Sequence, residues 1–144
     1  MYSTVLTLHS YWAFLTLLVL LFASFNAISG YYGNRNFVMG KDLRISLFAL
    51  IFTHIQFLLG LILYFTSPYF AMWSEGGVMG NPVSRLILVE HPLTNVIAVA
   101  LITIGWSKHK KQDASKGKFA KIALFYTIGF ILLLSRIPYA NWFN

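Results

Sequence analysis

An all-α integral membrane protein, a four-helix bundle with both termini on the outer (periplasmic) side, is the fold class this sequence predicts. Three observations predict it. Of the 144 residues, 58% are hydrophobic and only 10% are charged, a balance outside that of water-soluble domains. Four apolar runs are each long enough, at ~1.5 Å per helical residue, to cross a ~30 Å hydrocarbon layer. The cations gather in two of the three loops that join those runs.

The runs are about Val5 to Ser29, Leu43 to Thr66, Val83 to Ser107 and Phe119 to Ile137, within a single transmembrane domain that occupies the whole chain. Each is predicted helical, because an open strand leaves backbone N–H and C=O groups unpaired in lipid. Boundary residues agree. Asp42 is placed to N-cap the second helix, Asn81 followed by Pro82 suits the start of the third, and Pro138 follows the fourth. The first span is expected to be retained rather than cleaved, since no basic segment precedes it.

Direction follows from charge. Lys and Arg total 11 against 4 Asp and Glu. The first loop, with Arg35, Lys41 and Arg44, and the third, KHKKQDASKGK, lie on one side of the membrane, and the positive-inside rule makes that side cytoplasmic. Aromatic residues mark the interfaces, with Tyr11, Trp12, Tyr69, Trp73, Tyr139 and Trp142 expected on the outer side and Tyr31, Tyr32 and Trp106 on the inner. His109 falls in the basic loop and is expected to be solvated.

The absence of cysteine excludes disulfides, thiolate catalysis, iron–sulfur clusters and cysteine-bound zinc. No phosphate-binding glycine loop, nucleophile elbow or His-Glu-x-x-His motif is present, so nucleotide, hydrolase and zinc-protease chemistry have no foothold. The positive balance reports topology, with the lipid bilayer rather than nucleic acid as the partner.

What remains is a short set of polar residues inside apolar helices, each costly enough to require a partner or a task. They are His9 on the first helix, His54 and Gln56 on the second, and Glu90, His91 and Asn95 on the third, with Arg85 and Arg136 near the outer ends of the third and fourth. At helical spacing, His9 shares a face with Ala13, Thr16, Ala23 and Ala27, and His91 shares one with Ser84, Asn95 and Ala98, whereas His54 lies on an apolar wall of Leu47, Leu50, Leu58 and Leu61. Small faces permit close helix packing with the imidazoles bonded to neighbouring carbonyls. They also leave room for a flat macrocycle. A bundle with facing imidazoles suits haem, which takes two axial nitrogens from opposite sides, an apolar slot and cations for its propionates. His54, His91 and His9 are the candidate iron ligands. Arg85 and Arg136 are the candidate propionate partners, with interfacial snorkelling as the alternative account.

Depth tests the pairing. From the expected outer boundaries, His9 lies ~6 Å, His91 ~12 Å and His54 ~18 Å into the layer. No pair is level. His54 with His91 is the preferred pair, and His9 is the third candidate, as a ligand in another pairing or a proton-handling group. Pro92 removes the hydrogen bond to the Leu88 carbonyl and is expected to kink the third helix beside His91. Glu90, ~100° around the helix from His91, can take up a proton, orient another side chain, or pair with Arg136 or Arg85.

The strings LTLHSYW, FTHIQFLLGLILYF and LILVEHPLTNVIAVALITIGWSK resemble a group of small bacterial four-helix membrane proteins that carry the label cytochrome B. The likeness runs nearly the whole length and rests on His9, His54 and the Glu90–His91–Pro92 triplet. It implies non-covalent haem b and membrane electron transfer. The first functional expectation is a haem b protein of the bacterial inner (cytoplasmic) membrane that passes electrons between quinol and a partner, with quinone and other subunits of a respiratory complex as its expected partners. Di-haem four-helix cytochromes b and the halves of haem A synthase are similar in architecture but use more paired histidines. With three membrane histidines here, one haem fits, or one with a second site of another kind. Two other functions compete: a non-redox accessory or assembly subunit whose polar residues lock the helices, and copper or ion transport drawing on Met72 and Met79 of the outer loop.

Overall fold

The computed structural model describes residues 1–142, all-helical with connecting turns. Four long helices dominate: α1 (Tyr2–Tyr32), α2 (Met39–Thr66), α3 (Pro82–Lys110) and α4 (Ser115–Ser135), each long and apolar enough to cross a membrane. α1 packs against α2 and α4, and α3 against α4 and α2, so neighbours in sequence are neighbours around the bundle. Successive helices run antiparallel, the first and third connections being short and the second, between Thr66 and Pro82, carrying helical turns of its own.

Apolar residues cover both the inside and the outside. The buried cluster comprises Leu20, Ala23 and Ala27 of α1, Ala49 of α2, Ile102 of α3, and Phe119, Ile122 and Tyr126 of α4. Leu18, Phe22, Phe25, Phe48, Leu58, Phe65 and Ile131 are exposed on the outer surface, so the helices are apolar nearly all round. The core is densest toward the end that carries the basic loops. There Gly30 lets α4 approach: a Cβ at this position would stand 2.5 Å from the Phe119 ring. The buried Tyr126 hydroxyl donates to the Ser46 carbonyl at 2.8 Å, which meets the hydrogen-bonding demand of a phenol in an apolar core.

The two basic loops interlock. The Phe37 amide donates to Ser115 Oγ at 2.9 Å, and the Phe37 ring lies 5.6 Å from the His109 ring. His109 is therefore not solvated as expected, but fully buried. The reason is that α3 continues past Ser107 to Lys110, which places His109 on its last turn beneath Phe37. Asp42 also differs from its expected role. α2 starts earlier, at Met39, and Asp42, buried one turn inside, accepts from the Val38 amide at 2.8 Å and from Asn26 Nδ2 at 2.8 Å.

At the opposite end the Trp142 indole donates to the Ser10 carbonyl at 3.3 Å and its ring stacks on Phe14 at 4.7 Å. Both ends of the described chain thus lie at one end of the bundle, as the alternation of four helices requires. The Trp12 indole donates to the Phe52 carbonyl of α2 at 2.9 Å. Between α2 and α3, a 3-10 turn (Pro68–Ala71) and a single α-turn (Met72–Glu75) lead to Gly76 and Gly77, whose φ angles of 91° and 84° turn the chain back. Asn81 then caps α3, its Oδ1 accepting from the amides of Val83 at 3.0 Å and Ser84 at 3.2 Å, with Pro82 at the first helical position.

Candidate functional site

Pro92 shapes the site. Lacking an N–H, it cannot bond the Leu88 carbonyl, and α3 widens into a π-helical turn over Leu86–Glu90 immediately before His91. The vacated carbonyl is taken from outside the helix: the Tyr64 hydroxyl of α2 donates to it at 3.0 Å. Tyr64 accepts in turn from the Trp73 indole at 3.0 Å. Sequence reasoning anticipated the disturbance at Pro92 but not the tyrosine that compensates it.

His91 is fixed at both nitrogens. Its Nδ1–H donates to the Arg136 carbonyl at 2.9 Å, just beyond the end of α4, and its Nε2 accepts from Asn95 Nδ2 at 3.0 Å. A histidine that gives Nδ1–H to a carbonyl presents its Nε2 lone pair outward, the usual preparation for metal ligation. His9 faces it from α1, with ring centroids 6.3 Å apart and planes at 88°. Gln56 of α2 donates to the His9 carbonyl at 2.9 Å and approaches His9 Nε2 at 3.4 Å. Gly60, one turn along from Gln56, makes room for the ring: a Cβ there would stand 3.2 Å from His9 Cε1.

Both imidazoles line a cavity of about 300 Å³. Its walls are mostly apolar and include Leu6, Leu17, Phe57 and Leu133, with Gln56 and Asn95 as the amides. Three polar atoms of lining residues are buried without a partner, namely His9 Nδ1, Gln56 Oε1 and Asn95 Oδ1.

The structure separates the remaining candidates. His54 is not among the residues lining this cavity. Its Nδ1 bonds the Leu50 carbonyl at 2.8 Å and its Nε2 meets Thr103 Oγ1 at 3.3 Å, so it links α2 to α3 elsewhere. Of the expected pairings, His9 with His91 is the one brought face to face. The depth comparison missed this because α1 starts at Tyr2 rather than Val5, which carries His9 ~4.5 Å deeper. Arg85 and Arg136 do not line the cavity either. Glu90 stands between them, with Oε2 3.0 Å from Arg85 Nε and Oε1 3.4 Å from Arg136 Nε. In the connection between α2 and α3, Met72 Sδ accepts from Ser84 Oγ at 2.9 Å and Met79 is exposed.

No family model, curated protein or solved structure matches this chain.

The residues present fit haem in donor chemistry and spacing. Two imidazoles sharing one metal at roughly 2 Å per metal–nitrogen bond stand with ring centres ~6 Å apart, close to the 6.3 Å observed between His9 and His91. Were His91 to hold a metal through Nε2, it would give up the Asn95 hydrogen bond and keep the one to the Arg136 carbonyl that orients it. Among the described residues no cluster of three or more His, Asp or Glu side chains is placed to hold a metal ion alone. A macrocycle that supplies four ligands of its own requires only the two imidazoles.

Proposed function

We propose that this chain is a four-span b-type cytochrome of the bacterial inner membrane, holding one haem b between His9 and His91 and carrying electrons between quinol and a partner. The single observation that carries the reading is the approach of these two imidazoles, with ring centroids 6.3 Å apart, among the residues that line a largely apolar cavity. The apolar outer surface supports insertion in lipid. Nine of the 11 Lys and Arg residues (Arg35, Lys41, Arg44, Lys108, Lys110, Lys111, Lys116, Lys118 and Lys121) belong to the end with the first and third loops, which the positive-inside rule assigns to the cytoplasm, with both termini outside.

Haem, when bound, supplies a one-electron couple. The chain's own residues supply the rest. The Arg136 carbonyl orients His91, and Glu90 fixes Arg136 and Arg85, so the triplet Glu90–His91–Pro92 places a ligand, an anchor and a kink in one turn. Leu61, Phe65 and Val96 line the cavity and are also exposed on the bundle's outer face. A lipid-soluble donor such as quinol therefore has access to the edge of the site from the bilayer.

The test is the absorbance of the detergent-purified protein before and after dithionite. A reduced-minus-oxidised haem b spectrum that disappears in His9→Ala and in His91→Ala supports the reading. The competing function, a non-redox accessory subunit, draws on one observation: Glu90 tied to both arginines locks α3 to the end of α4 without any cofactor. That reading requires a colourless protein.

A further inference from the structure

No Lys or Arg side chain among the described residues lines the His9–His91 cavity. Arg85 and Arg136, the cations of that end, both hold Glu90. Arg85 also donates to the Met79 carbonyl at 2.9 Å, and Arg136 to the Ser135 carbonyl at 2.9 Å. The residues that line the cavity from that end of the bundle include Tyr2 in the first turn of α1, Tyr69 in the turn that follows α2, and Asn141 beyond α4. Each is half-buried. Their side chains make no hydrogen bond with another described residue, whereas Ser67 beside them is committed to the Tyr69 amide at 3.2 Å and Trp142 to Ser10.

Two phenols and a carboxamide from three different elements, with hydrogen-bonding capacity unspent and all at one end of the cavity's lining, suit a collar for an oxygen-rich group. Resting on the haem reading above, we infer that Tyr2, Tyr69 and Asn141, and not Arg85 or Arg136, receive the carboxylates of the cofactor. Phenol O–H and amide N–H groups donate to an ester carbonyl as well as to a carboxylate oxygen, although the charged acceptor is bound about twice as strongly. A guanidinium, whose grip is largely charge, strongly prefers the carboxylate. The collar therefore predicts a cofactor site that tolerates loss of the ligand's negative charge.

The experiment titrates the haem-free, detergent-solubilised full chain with haem b and with its dimethyl ester, reading the absorbance of the bound form. The ester is expected to bind within about tenfold of haem b, and the Tyr69→Phe/Asn141→Ala double variant to lose at least about tenfold in affinity for haem b, the scale of two forfeited hydrogen bonds. Its bound spectrum stays at wild-type wavelengths because the axial imidazoles are untouched, and its helical circular dichroism is unchanged. Arg85→Gln is expected to bind haem b within about threefold of wild type, since that residue's partner is Glu90. Haem binding unchanged in the collar variant, or an ester penalty beyond about a hundredfold together with a matching loss in Arg85→Gln, returns the carboxylates to the arginines and overturns the inference. If the wild-type chain binds neither compound, the haem reading itself fails and the collar falls with it.

Discussion

The hydroxyl of Tyr64 on α2 donates at 3.0 Å to the carbonyl of Leu88 on α3, the carbonyl that Pro92, four residues on, cannot bond. One helix thus repairs the backbone of its neighbour, and the repair holds the widened turn that delivers His91. Tyr64→Phe should lower unfolding stability in detergent by about 1–3 kcal/mol, the cost of an unsatisfied buried carbonyl. Pro92→Ala returns an N–H to α3, so combining it with Tyr64→Phe should cost less than the sum of the two single changes. Strict additivity in that cycle would show that the two groups are not partners.

Gly60 makes a prediction of opposite signs. Alanine favours helix over glycine by roughly 1 kcal/mol, yet its Cβ would meet the His9 ring at 3.2 Å. Gly60→Ala should leave the melting temperature of the haem-free protein equal or higher while weakening haem binding by about tenfold, a cost of ~1.4 kcal/mol for a displaced ligand ring. Thermal unfolding and a haem titration on the same preparation check both halves. Unaltered affinity would mean that His9 needs no such clearance.

Glu90 compensates two cations, so its loss should exceed that of either arginine. Each of the three side chains is at least a third exposed, which keeps the expected cost of Arg85→Gln to ~1 kcal/mol or less. Glu90→Gln should cost more than this and become less severe as salt is raised, because the two guanidiniums left behind repel one another. Denaturant unfolding of both variants at low and high ionic strength measures the difference. An effect of Glu90→Gln smaller than that of Arg85→Gln contradicts the arrangement.

The absence of cysteine makes orientation simple to test. Met79→Cys in the turn before α3 should react with a membrane-impermeant maleimide in cells whose inner membrane is intact, whereas Asp113→Cys, in the basic loop, should react only after that membrane is opened. Reversed labelling would place the cationic end outside and refute the direction argued from charge.

Much of the architecture was legible because it follows from bulk composition: four apolar runs, Asn81–Pro82 at the start of α3, and two basic loops at one end. The site was only partly legible. His9 and His91 were recognisable as polar groups on small faces, but their pairing was not, since a boundary misplaced by three residues moves a side chain ~4.5 Å along the helix axis. The face of α2 that serves the site, Gln56, Gly60 and Tyr64, repeats every four residues and was readable as a polar, small and phenolic stripe. Reading the helix from His54 pointed instead to its neighbouring apolar wall. The engagement of both arginines by Glu90, and the burial of His109 under Phe37, depend on contacts between segments that no periodicity within one helix reveals.

The most direct measurement is the dithionite difference spectrum of the purified chain, compared among the wild type and its His9→Ala, His91→Ala and His54→Ala variants. The account predicts a haem b signal in the wild type, its loss in the His9 and His91 variants, and its retention in His54→Ala. A colourless wild type, or a signal that survives removal of both His9 and His91, would contradict it.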